Sequence, residues 1–235
     1  MQNHPKFILF HIGILLISFG LLQTVIPVGG DLDLSLIHPW ISESGQFLLR
    51  DNWYLAKLNH KYIKDILIVV YVFIFFAWIA SFKVERLKPR RTELGYLFWV
   101  SMLCTIVVSI LKSQSSHACP WSMTIPDTDG FFWDFSAMSG HCFPGGHASL
   151  GFSFITGYFL YHISQPKRAY FYLLAGLVLG LSMGWAQMMR GAHFMSHNLW
   201  TLWICYFTNM LCYVIFYLCK KQSVFLEPHN TQLVL

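Results

Sequence analysis

Residues 169–189 read AYFYLLAGLVLGLSMGWAQMM, and no side chain in that stretch is charged. A helix crosses the hydrocarbon core of a bilayer with about 20 mainly apolar residues, so this stretch is long enough to span. Arg190-Gly191-Ala192-His193 follows it, and then a second apolar run, Phe194 to Cys219, whose polar residues gather near its start and at Asn209. Working back toward the N-terminus, Gly151 to Ile163 is shorter and extensible through Ala148 and Ser149, while Leu94 to Leu111 has no charge. Tyr62 to Phe82 carries Lys64 and Asp65 near its start, and Phe7 to Gly29 is interrupted by His11, Gln23 and weakly polar residues. Six runs predict an all-α, six-span transmembrane helical bundle forming one domain over residues 1–235, with the fourth span the weakest. Only 11% of the chain is charged and 55% is hydrophobic, against roughly 25% charged in a soluble domain. That composition excludes disorder and a collagen-like fibre and argues against a water-soluble enzyme. Six buried helices in a soluble chain this short would leave too little polar surface to cover them. Lys6 and the first run also resemble a secretory leader over residues 1–28, but no small-residue cleavage site follows, so a retained span is expected.

The basic residues set the expected topology. With six spans both termini share a side, and that side holds Lys6, Lys83, Arg86, Lys88, Arg90, Arg91, Lys167, Arg168, Lys220 and Lys221. The other side holds Arg50, Lys57, Lys61, Lys64, Lys112 and Arg190, diluted by Asp31, Asp33, Glu43, Asp51 and Asp65. Positive charge favours the cytoplasm, so the first group is placed there. The net charge of +5 is then membrane anchoring, with some attraction for acidic lipids, rather than a sign of nucleic acid.

Two segments on the other side are long. Gly30 to Lys61 interleaves Leu48, Leu49, Trp53, Tyr54, Leu55 and Leu58 with polar residues, a pattern that suits a helix lying at the interface or a loop with buried anchors. Lys112 to His147 is rich in Ser, Pro, Gly and Asp and reads as loop with short turns, since Pro120, Pro126 and Pro144 break any long helix. Cys205, Cys212 and Cys219 recur every seven residues and read as small buried side chains. Cys119 and Cys142 share the outer loop; an oxidising compartment would let them pair, and otherwise they are two separate thiols.

Polar residues gather where the spans meet that outer side: Lys112, His117, His141, His147, Gln187, Arg190, His193, His197 and Asn198. Ionisable residues at membrane level are a functional hypothesis by default. Pro144-Gly145-Gly146-His147 precedes the fourth run, and two glycines there let backbone N–H groups approach an anion. His193 and His197 are four apart and share a face if helical. Arg190 and Lys112 supply cations suited to phosphate.

With these stretches in order, the chain resembles the PAP2 (type 2 phosphatidic acid phosphatase) superfamily from about Leu94 to Cys219, the expected catalytic core at 94–219. The family's Lys-x6-Arg-Pro is matched by Lys112 and Pro120, with Cys119 where Arg is usual. Its Pro-Ser-Gly-His is matched by Pro144, Gly146 and His147, with Gly145 for Ser. Its Ser-Arg-x5-His-x3-Asp is matched by His193, with Gln187 at the Arg position, Arg190 one turn later, and His197 followed by Asn198 at the Asp position. The resemblance implies a metal-independent phosphatase without cofactor, in which His193 attacks phosphorus and His147 protonates the leaving group. Lys112 and Arg190 neutralise the phosphoryl oxygens, and Gly145, Gly146, Gln187 and Asn198 complete the substrate site. His197 would accept the N–H of His193, or Asp127, Asp129 or Asp134 would reach in instead. The Cys119–Cys142 pair would fix the loop where the family's Arg is missing.

The implied substrate is a phospholipid, an isoprenoid diphosphate or a lipid A type phosphate, handled at the periplasmic face of a bacterial inner membrane. Two other classes compete: a non-catalytic membrane protein or phosphotransferase on the same fold, and a metal or haem protein suggested by eleven histidines. The last gives no reason for Lys112 and Arg190, which would repel a metal.

Overall fold

A computed structural model describes residues 3–138 and 140–226; residues 1, 2, 139 and 227–235 of the expected domain lie outside the described residues. Among the described residues, five helices are long and apolar enough to cross a membrane: His4–Thr24, Tyr54–Ala80, Lys88–Gln114, Pro166–Met189 and Met195–Cys219. Their α-helical parts are α1 (Asn3–Thr24), α3 (Lys64–Ala80), α4 (Arg91–Gln114), α7 (Pro166–Met189) and α8 (Met195–Leu226). Leu9, Phe73, Phe171 and Leu211 stand exposed on their outer faces. Such broad apolar exposure suits lipid rather than water.

The fourth run departs from expectation. It is a compound of α5 (Gly146–Phe152), a 3-10 turn at Ser153–Ile155 and α6 (Thr156–Tyr161), and neither α piece reaches spanning length. Phe152, Ser153, Ile155, Thr156, Phe159 and Tyr161 are all buried. The run is weakly hydrophobic because it faces other helices instead of lipid. Its break has a local cause: the Ser101 hydroxyl donates to the Ser153 carbonyl at 3.1 Å, and Tyr71 and Ser153 share a hydroxyl–hydroxyl bond of 2.5 Å. Those bonds offer the backbone an alternative to its own ladder.

Glycine sets how closely this element packs on α7. Gly176, Gly180 and Gly184 recur every fourth residue along one face of α7, the small-xxx-small spacing of close helix contacts in membranes. A Cβ on Gly151 would overlap the backbone N of Gly180, and one on Gly180 would overlap the Phe152 ring. The two helices therefore meet backbone to backbone.

An outer cap covers the α7–α8 junction. It contains α2 (Asp31–Ile37), a bridge between Ile41 and Phe47, and an antiparallel hairpin of β1 (Thr124–Asp127) and β2 (Gly130–Trp133). The bundle is all-α as expected, and the hairpin adds a small two-stranded cap within residues 112–147, which read in sequence as loop with short turns. Thr128-Asp129 forms its two-residue tip, and Gly130 takes φ +140°, open only to glycine. The Thr124 hydroxyl donates to the Gly45 carbonyl at 2.8 Å, tying the hairpin to the 41–47 loop. In the segment read as either an interfacial helix or a loop with buried anchors, Tyr54–Ile63 is π-wound and runs directly into α3, so it extends the second span.

The Gly151 contact predicts a contrast between two alanine variants. Gly151→Ala should lower stability by about 1–3 kcal/mol or more through overpacking against backbone. Gly20→Ala on α1 meets nothing within 4 Å and should be neutral or gain up to about 1 kcal/mol. Thermal unfolding of the detergent-solubilised protein checks both.

Candidate active site

Three helix ends converge beneath the cap: the C-terminus of α4, the start of α5 and the start of α8. The turn before α5 is docked on α8 by its own backbone. Gly145 N–H donates to the His197 carbonyl at 3.1 Å, and the Thr201 hydroxyl reaches the carbonyls of Gly145 and His197 at 3.1 and 2.9 Å. The Gly145 N–H is thereby occupied and does not face an anion, contrary to the expectation for that residue. Gly146 lies against Lys112: a Cβ built there would stand 3.2 Å from Lys112 Cδ and 4.0 Å from its Nζ. A side chain at 146 would need the lysine to give way by a few tenths of an ångström.

His193 lies in the short loop between α7 and α8 and is only 3% exposed. Its Nδ1–H donates to the Cys142 carbonyl at 2.6 Å. A carbonyl can only accept, so Nδ1 carries the proton and Nε2 keeps its lone pair. Burial pushes the His193 imidazole well below the ordinary histidine range, and the nearby charges of Lys112, His197 and His147 push the same way. The ring is therefore neutral at physiological pH. Cys142, the residue that orients it, is disulfide-bonded to Cys119, with Cα atoms 5.1 Å apart. Cys142 N–H also donates to the His117 carbonyl at 3.0 Å. Neither His197 nor an outer acid takes the His193 N–H; a backbone carbonyl does. Asp127 and Asp134 instead accept from Thr128 and Ser136 in the cap.

His197 is 1% exposed, and neither ring nitrogen has a hydrogen-bond partner among the described residues. Its ring centroid lies 5.8 Å from that of His193 and 6.1 Å from that of His117. Asn198 is wedged between two glycines. Its amide donates to the carbonyls of Gly184 and Phe194 at 3.2 and 3.1 Å. A Cβ on Gly145 would overlap Asn198 Oδ1, and one on Gly184 would stand 2.7 Å from its Cγ. This accounts for glycine at 145, where the related pattern has serine: Asn198 fills the space.

Asp33 of α2, in sequence only a diluting charge, is a buried carboxylate at this junction. It is fully buried. Its oxygens accept from Ser196 N–H and Gly29 N–H at 2.9 Å each, and from the Ser196 hydroxyl. It caps the first turn of α8 from a different helix, just beyond His193. Burial raises its carboxyl above the usual range, opposed by the bonds from Ser196. No local signal marks Asp33, since Ser196 is 163 residues away.

Arg190 donates from Nε to the Arg50 carbonyl at 2.7 Å and from Nη1 to Gln187 Oε1 at 3.2 Å. Gln187 is buried, and its Nε2 has no hydrogen-bond partner among the described residues. Arg50, absent from the sequence-derived set, lies 4.4 Å over the Trp121 ring. The Trp121 N–H in turn donates to the Gly191 carbonyl at 2.9 Å. Two arginines thus border the loop that carries His193. His147, the second residue of α5, is half-buried and close enough for its charge to bear on His193. Among the described residues, no three His, Cys, Asp or Glu side chains converge as metal ligands.

Residues 93–221, more than half of the chain, match the family described as PAP2 superfamily. Comparison with curated proteins and with solved structures finds no match.

The Gly145–Asn198 contact predicts a coupled pair. Gly145→Ser should lower stability by about 1–3 kcal/mol, the cost of overpacking. Adding Asn198→Ala should recover part of that loss, giving a non-zero coupling in a double-mutant cycle. Additive losses in thermal unfolding would separate the two positions.

Proposed function

The chain belongs to the PAP2 superfamily, and we propose that it is a metal-independent phosphatase acting on a lipid phosphate or diphosphate through a phosphohistidine at His193. The observation that carries this reading is the hydrogen bond from His193 Nδ1 to the Cys142 carbonyl, which leaves Nε2 as a neutral nucleophile beside Lys112. Nε2 attacks phosphorus and the bond to the leaving oxygen breaks. His147 protonates that oxygen, releasing the lipid alcohol or lipid monophosphate. His147 then takes a proton from water, which attacks phosphorus, breaks the P–N bond and frees inorganic phosphate. Lys112 offsets the charge on the phosphoryl oxygens, with Arg190 and Arg50 as further cations at the rim. His197 and Asn198 pack behind the nucleophile, and Gln187 holds Arg190.

The substrate is a membrane lipid because the cluster lies at the ends of apolar helices. Phosphatidic acid, phosphatidylglycerophosphate, an isoprenoid diphosphate and a lipid A phosphate all present the required group. In this reading the α5–α6 element makes the sixth crossing against its neighbours. The clustered basic ends face the cytoplasm and the histidines face the periplasm of a bacterial inner membrane.

The test is phosphate release by the purified protein from that panel of lipids. His193→Ala and His147→Ala should each lower turnover at least about 10²-fold. Activity of His193→Ala equal to the unaltered protein would eliminate the mechanism. Because protonated His193 cannot attack and its pKa is displaced well below 6.5, kcat/KM should hold as pH falls through 6.5 and decline only further down. A decline centred on 6.5 would contradict a buried neutral nucleophile.

The disulfide yields a separate expectation. Replacing Cys119 and Cys142 together with Ser frees the segment whose carbonyl orients His193. Turnover should fall by about 10²-fold, the scale for a misplaced reacting group. Unchanged kcat would show that the loop holds His193 without the bond.

A further inference from the structure

At the end of the bundle away from His193, a cavity of about 880 Å³ opens among the starts of α1 and α4, the α6–α7 turn and the later part of α8. Glu93 lines it and Lys112 lies near the catalytic end of the same helix. At 1.5 Å per residue the two ends are about 28 Å apart. This is therefore a separate site. Its volume is in the range of small-molecule pockets, roughly 300–1,000 Å³.

Three features of its wall point to one ligand chemistry. Arg90 and Arg168 both line it, and neither forms a salt bridge among the described residues. The Arg168 guanidinium is held 3.9 Å over the Tyr161 ring, so its position is set before anything binds. The hydroxyls of Tyr96 and Tyr161 are buried in residues 8% and 1% exposed, and neither has a well-formed hydrogen bond among the described residues, although the Glu93 carboxylate bears on Tyr161. Buried donors of this kind call for an acceptor. The remaining titratable groups on the wall are Glu93, His4, His162, Tyr213 and Tyr217. The His162 Nδ1–H donates to the Phe159 carbonyl at 2.9 Å, and the Tyr213 hydroxyl donates to His162 Nε2 at 3.1 Å. With two arginines against one glutamate, the wall is cationic even when both histidines are neutral.

We propose that this cavity is a second, non-catalytic binding site for a phosphate-bearing anion, with the arginines and tyrosine hydroxyls on the phosphate oxygens. Planar guanidinium groups and O–H donors match that anion. The anion comes either from the headgroup of an anionic phospholipid at this end of the bundle or from a water-soluble phosphate ester. Apolar residues such as Phe159, Leu160 and Phe216 on the same wall favour the lipid, whose glycerol and upper chain they would cover.

The experiment is native mass spectrometry of the full chain in detergent, in a Lys112→Gln, His193→Ala background that removes the catalytic cation and nucleophile. Phosphatidylglycerol, phosphatidylcholine with the same chains, and glycerol phosphate are titrated separately. Phosphatidylglycerol should bind, and Arg90→Gln with Arg168→Gln should weaken it about tenfold or more. Arg90 is exposed on a turn, so Arg90→Gln alone serves as the variant least disruptive to packing and should show part of the loss. Arginine-dependent binding of glycerol phosphate as tight as that of the lipid assigns a water-soluble source and still supports the site. Equal binding of phosphatidylcholine, affinity unchanged by both arginine replacements, or no binding of either phosphate would overturn it. The proposal does not need the protein to be a phosphatase, so activity failing elsewhere leaves this test intact.

Discussion

Gly151 and Gly180 bring two helices into contact backbone to backbone, and the geometry of the site follows from that contact. With α5 seated on α7, the turn before α5 lies against the start of α8, where Gly145 bonds to the His197 carbonyl. A side chain at either glycine would separate the helices, and the lysine, glycine turn and histidine loop would no longer meet. Close approach of small residues supplies association where lipid removes the usual hydrophobic drive between helices. Asn198 extends the same logic by filling the space between Gly145 and Gly184.

The His193 loop is restrained from two directions. On one side the Cys142 carbonyl sets the tautomer, and the disulfide to Cys119 ties that segment to the loop following α4. On the other, Asp33 caps α8 through Ser196, placing a negative charge at a helix N-terminus where it is favourable. This carboxylate acts on the helix that follows the histidine rather than on the imidazole itself. Around a buried neutral ring, preorganised cations and dipoles are worth more than they would be in water.

Much of this was legible in the sequence, for physical reasons that differ by element. The long apolar runs announce their helices because lipid-facing residues must be apolar all along the span. The run at 151–163 reads as the weakest span because hydropathy reports contact with lipid, whereas this element contacts protein. Lys112, Gly146-His147 and His193 come together in the structure because each lies at or beside a helix end. Asp33 and Arg50 were not legible as site residues: their partners are Ser196 and Arg190, far along the chain, and no spacing records such contacts. The hairpin at 124–133 was hidden by Pro126 and the polar tip, although Asp129-Gly130 followed by Phe131, Phe132 and Trp133 carried a strand signal. The role of Cys142 as a carbonyl acceptor belongs to its backbone, which side-chain identity does not disclose.

The central claim is that the neutral Nε2 of His193 forms a bond to phosphorus. It is tested most directly by rapid-quench trapping with a lipid phosphate labelled on the transferred group, followed by peptide mapping under alkaline conditions that preserve phosphohistidine. The account predicts label on His193 that appears and decays within one turnover, with both phases slowed when His147 is replaced by Ala. Full turnover without a phosphoenzyme, or label on any other residue, would contradict it.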